Sequence, residues 1–100
     1  PLGGTRVRLD GREHLDKLAK AHADVRGQIA AWVAEVEDAT WRTQQDVTDR
    51  FPSASFLKER VVVFNIKGNK YRVEARISFK IGVVRVLRAG THAEYDKWTH

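Results

Sequence analysis

The chain reads as an α+β domain in which a short N-terminal strand and two helices pack on an antiparallel sheet that ends in a short C-terminal helix. Three observations predict this. The apolar spacing changes from about 3.6 residues to about 2 near Arg60. Lys67-Gly68-Asn69 supplies turn residues between two alternating runs. Thr91 and Glu94 stand three apart after the last apolar run, as a capping box requires.

Arg6-Val7-Arg8-Leu9 alternates polar and apolar, as a half-buried strand does. From Gly11 to His22, Leu15, Leu18 and Ala19 share one helical face, with Asp16, Lys17 and Lys20 elsewhere. Asp24 stands where an N-cap is wanted, and Val25, Ile29, Trp32, Val33 and Val36 then recur at three- and four-residue spacing to about Asp38. These are two successive helices, expected antiparallel, with Trp32, Val33 and Val36 in the core. Trp41 to Phe51 is more polar. It reads as a connector in which Thr43 caps about one turn, Trp41 is buried and Phe51-Pro52-Ser53 breaks what precedes it.

Val61-Val62-Val63-Phe64 is a β-branched run, and Tyr71, Val73, Ala75, Ile77 and Phe79 alternate with Lys70, Arg72, Glu74, Arg76 and Ser78. The pair is a hairpin whose second strand puts Lys70, Arg72 and Arg76 together on one face, predicted to be an open basic surface opposite the helices. Gly82 to Arg88 is apolar on both sides and is expected to be a central or covered strand. In the closing capping box His92 takes the first helical position, with Tyr95 and Asp96 three and four residues on, able to share its face.

One hundred residues make one domain, taken as residues 5–100, with Pro1-Leu2-Gly3-Gly4 read as an expression scar. The formal charge of +5 is uneven: residues 58–100 hold ten Lys and Arg against four Asp and Glu, whereas residues 1–57 hold eight against nine. The positive field therefore belongs to the strand-rich half and points to an acidic partner. The absence of cysteine excludes disulfides, thiolate metal sites and cysteine nucleophiles, and suits a reducing cytoplasm. No apolar run approaches the roughly 20 residues of a membrane span, so no membrane partner is expected. His14 and His22 stand eight apart with no carboxylate spacing to complete a metal site, and no metal or cofactor is expected. No Walker-type glycine loop and no Gly-x-Ser-x-Gly are present, which leaves nucleotide hydrolysis and serine esterase chemistry without support.

Ala39-Thr40-Trp41, Phe51-Pro52-Ser53-Ala54, Val63-Phe64-Asn65-Ile66-Lys67-Gly68-Asn69-Lys70-Tyr71-Arg72 and Gly90-Thr91-His92-Ala93-Glu94-Tyr95-Asp96 resemble the HigB family of bacterial toxins, which have the RelE-like fold. The resemblance implies an endoribonuclease that cuts messenger RNA, commonly on the translating ribosome, and that is neutralised by a helix-turn-helix, HigA-like antitoxin. Any nuclease working through 2′-OH attack without a metal needs a proton acceptor, cations on the phosphorane and a proton donor for the leaving 5′ oxygen. His92, Tyr95 and Arg72 are the catalytic candidates, with the choice of acid and base left open. Lys67, Lys70, Arg76 and Arg88 are candidates for phosphate and RNA contact, as are Asn65 and Asn69, which match the motif but equally suit a turn. Two rival functions stay open. One is a non-catalytic toxin of the RelE/ParE fold that acts by binding, since fold does not fix function. The other is an RNA-binding module using charge and stacking by Tyr71 or Tyr95.

Overall fold

The computed structural model describes residues 7–58, 60–68 and 70–98. Pro1 to Gly4, Arg6, Asn69 and His100, named above, lie outside the described residues. The elements run β1 (Arg8–Asp10), α1 (Arg12–Ala21), a 3-10 turn (Ala23–Val25), α2 (Arg26–Glu37), α3 (Gln44–Arg50), β2 (Ser55–Phe56), β3 (Val61–Ile66), β4 (Tyr71–Ser78), β5 (Val83–Thr91) and α4 (His92–Tyr95). One sheet of five strands has the order β1-β5-β4-β3-β2. The meander β3-β4-β5 is antiparallel as the alternation predicts, but the sheet as a whole is mixed, because β1 joins the outer edge of β5 in parallel.

The two long helices are antiparallel. An Arg12–Glu37 ion pair joins the start of α1 to the end of α2. Leu15 and Leu18 from α1 and Ile29, Trp32 and Val36 from α2 are buried against the inner sheet face, to which Val62, Phe64, Val73, Ala75, Ile77, Val84 and Val86 contribute. Phe64 is the hub of an aromatic group, with Trp32 at 5.1 Å, Phe51 at 5.2 Å and Trp41 at 6.2 Å between ring centroids. Trp41 is buried as expected. α3 is longer than the single turn the sequence suggests, because Thr43 and Asp46 form a full capping box.

α1 can settle onto β5 only because residue 11 is glycine. Its φ of +80° is left-handed, and a Cβ there would stand 2.3 Å from the Val86 carbonyl oxygen.

Two expectations are corrected. Asp24 does not cap α2: it lies inside the 3-10 turn and Val25 occupies the cap position without a side-chain bond. Its carboxylate is taken instead by the β3–β4 turn and Tyr71. The outer face is also not a uniform basic surface. Lys70 lies in the turn before β4 and points to Asp24 at the sheet end, 3.6 Å away. Glu74 is buried on the outer face between Arg72 and Arg76, since a bulge at Leu87 in β5 brings Arg88 opposite it.

Candidate active site

The site forms where β5 runs into α4, above the outer face of β4. Thr91 Oγ1 accepts from the Glu94 N–H at 3.2 Å and Glu94 Oε1 accepts from the Thr91 N–H at 2.8 Å, so the capping box read from the sequence is complete. The His92 N–H donates to the Lys70 carbonyl at 3.0 Å, which ties the helix start to the hairpin. Gly90 faces Arg72 across the ladder. A Cβ there would come within 3.2 Å of Trp98 and 3.0 Å of Glu94, so the missing side chain lets the tail fold back over the sheet.

Three predicted residues meet in this corner. Arg72 donates to His92 Nδ1 at 3.1 Å, and its guanidinium carbon stands 4.7 Å from the centre of the Tyr95 ring. The His92 and Tyr95 rings are stacked, 6.4 Å apart and 26° from parallel. Because a guanidinium only donates, Nδ1 must be the accepting nitrogen, and a neutral ring therefore carries its proton on Nε2. That atom is 3.8 Å from Asp96 Oδ2 on a half-exposed side of the ring. Arg72 Nε is buried without a hydrogen-bond partner. Trp98 supports the corner from beneath, edge-on to Tyr95 at 5.5 Å, with the Arg88 guanidinium 4.9 Å from its ring.

The remaining candidates divide. Asn65 pairs with Arg72 across β3 and β4 but donates to the Ser53 carbonyl at 3.2 Å, which anchors the preceding loop. Lys67 and Lys70 border an open hollow of about 710 Å³ at the sheet end, shared with His22, Asp24, Thr91 and His92. Arg88 is tied to buried Glu74, 3.4 Å away. Arg76 is exposed two positions beyond Glu74 and is not brought to the corner. Asn69 lies outside the described residues.

Asp24 and Trp98 belong to this region and sequence reasoning missed them. Asp24 looked like a helix cap, and nothing near it signalled a partner more than forty residues away. Lys67, Tyr71 and Lys70 hold its carboxyl at about 2, mainly through the Lys67 hydrogen bond and then the Tyr71 hydrogen bond. The Tyr71 phenol is pushed above its ordinary value by burial first and by Asp24 second. Tyr71 is only 2% exposed, so the stacking role considered for it is not available. A separate hollow of about 760 Å³ between α2, Trp41 and α3 is lined by Glu35, Asp38, Asp46 and Asp49 with Arg50, and no predicted site residue borders it. Among the described residues no group of three or more His, Cys, Asp or Glu could hold a metal ion.

In this small α+β domain a guanidinium, an imidazole and a phenol gather at one corner of a cationic sheet end, the donors and charge that anion binding requires. Residues 25–98 match the HigB_toxin family model, the RelE-like toxic component of a toxin–antitoxin system. The chain belongs to this family and is a toxin whose system implies an antitoxin partner. No curated protein matches the chain. Among the described residues no helix is long and apolar enough to cross a membrane.

Proposed function

We propose that this toxin is an endoribonuclease that cleaves messenger RNA on the translating ribosome and is neutralised by a HigA-like helix-turn-helix antitoxin. The observation that carries the reading is the 3.1 Å contact between Arg72 and His92 Nδ1 beside the Tyr95 ring. In the reaction the ribose 2′ oxygen attacks phosphorus, the bond to the 5′ oxygen breaks, and the products are a 2′,3′-cyclic phosphate and a 5′-hydroxyl. The 2′ proton leaves to a base and a proton is delivered to the 5′ oxygen. His92 exchanges a proton through exposed Nε2. Arg72 turns its fork of donors onto the phosphorane, where negative charge grows. Tyr95 stacks a base or relays the second proton. Lys67 and Lys70 extend the positive surface along the strand of RNA.

The test is primer-extension mapping of transcripts with and without ribosomes, for the wild type and for His92→Ala and Tyr95→Phe. Cleavage should vanish in His92→Ala while the protein stays folded, with Tm lowered by only a few degrees for the lost Arg72 hydrogen bond, since the imidazole is half exposed. Growth arrest that survives His92→Ala, with no cleavage product from the wild type, would overturn the nuclease reading in favour of a toxin that only binds.

A further inference from the structure

The hollow at the sheet end contains a cluster that the cleavage chemistry does not use. Asp24, on the helical layer, meets Lys67 Nζ at 2.9 Å, Lys70 Nζ at 3.6 Å and the Tyr71 hydroxyl at 2.9 and 3.0 Å. Tyr71 is buried, so its hydroxyl is a fixed donor that pins the carboxylate. The carboxylate in turn pins two lysines that would otherwise sweep many rotamers. Lys67 even takes a left-handed φ of 55° in the turn that delivers it. Each ammonium has three N–H donors, so both keep donors for a second acceptor. Two cations against one carboxylate leave the cluster net positive, and its wall continues through Thr91 to His92.

We infer that this cluster is the seat of the RNA phosphate next to the one cleaved, with Asp24 as the positioning residue that holds Lys67 and Lys70 ready for it. The inference rests on the ribonuclease reading. It has an unusual sign. Deleting a carboxylate beside a polyanion should tighten binding if the carboxylate does nothing but repel. If Asp24 organises the lysines, the same deletion weakens binding despite the gain in net positive charge.

The experiment compares wild type, Asp24→Asn, Lys67→Met/Lys70→Met and the triple variant. A short 2′-O-methyl RNA, which lacks the nucleophile, is bound across a salt series, and cleavage on programmed ribosomes is measured in parallel. Asp24→Asn should weaken binding about threefold and flatten the log–log salt slope by about 0.7, the loss of one single-strand phosphate contact. In cleavage KM should rise and kcat should hold. Placed on the lysine-free background, Asp24→Asn should no longer weaken binding: with only repulsion left to remove, binding stays equal or becomes slightly tighter. Unchanged or tighter binding by Asp24→Asn overturns the inference, as does an equal loss on the lysine-free background, which would mean that Asp24 acts through the fold. Lys67→Met alone alters a surface side chain, so binding untouched by it also overturns the inference even if Asp24→Asn fails to fold. Wild type that cleaves while Asp24→Asn binds normally sinks only this step. Wild type that neither binds nor cleaves sinks the nuclease reading with it.

Discussion

Replacing Arg72 by lysine keeps the charge and removes the fork, so it separates what Arg72 does for the fold from what it does for the reaction. On the stability side, losses and gains oppose each other. The substitution gives up the hydrogen bond to His92 and a cation–π contact at 4.7 Å, together about 1.5 to 2.5 kcal/mol for partly exposed groups. It also removes the buried Nε that has no hydrogen-bond partner, and an unmet donor of that kind costs about 1 to 3 kcal/mol. The net change in unfolding free energy is therefore within about 1.5 kcal/mol in either direction, a shift of at most about 6–12 °C in Tm for a domain of this size. On the catalytic side nothing offsets the loss. A lysine cannot bond two phosphoryl oxygens in one plane, and removing one aligned donor from a developing oxyanion costs about 10²-fold or more. The assay pairs urea unfolding with single-turnover cleavage. Cleavage retained within about threefold, or an activity loss matched by an equally large stability loss, would refute the assignment of Arg72 to the transition state.

Gly11→Ala should destabilise by about 2 to 4 kcal/mol, because it adds left-handed backbone strain to an overlap with the Val86 carbonyl, and a urea midpoint unchanged within error would show that α1 does not lie against β5 as described. The Asp24 carboxyl, held at about 2 against 3.8 unperturbed, gives stability that is complete above pH 3.8 and lost as pH falls toward about 2. The Tm difference between wild type and Asp24→Asn should therefore narrow across that window, and a difference constant from pH 6 to pH 2 would show that the carboxylate is unpaired in solution.

What the sequence made legible was local. The hairpin follows from alternation and a turn, α4 from two residues three apart, and the buried stripe of α2 from its spacing, because each depends on neighbours a few positions away. The parallel pairing of three-residue β1 with β5 was not legible. No sequence pattern specifies which edge such a short strand joins, and the pairing spans more than seventy residues. The outer face failed as a prediction for a related reason. Strict alternation put Arg72, Glu74 and Arg76 side by side and made that face look wet. The bulge at Leu87 and the returning tail instead bury Glu74 with Arg88 beneath Trp98. Arg88, which resembled an RNA-gripping cation, is thus largely engaged by the fold. The meeting of Arg72, His92 and Tyr95 at one corner was legible, since a motif supplies Arg72 and a capping box places His92. The surroundings of that trio were not, because Asp24 meets its partners only after the helical layer docks.

The corner that holds His92 cannot form on its own. A helix of four residues is far below the length that is stable in water, so α4 exists because other contacts hold it. Two of its backbone donors are met by the Thr91–Glu94 box and by the Lys70 carbonyl, and its apolar support is Trp98 folded against Gly90. Each of these depends on β4 and β5 being in register already, since Arg72 and Gly90 are partners in that ladder and Lys70 directly precedes its terminal pair, Tyr71 and Thr91. The distance from Arg72 to His92 is therefore a readout of the whole meander and tail. A change at Gly90 or Trp98, neither of which bears any reacting group, moves the imidazole as surely as a change at the cap. The packing of the tail and the position of the imidazole are therefore set together, through the contacts of Trp98 with Tyr95 and Arg88.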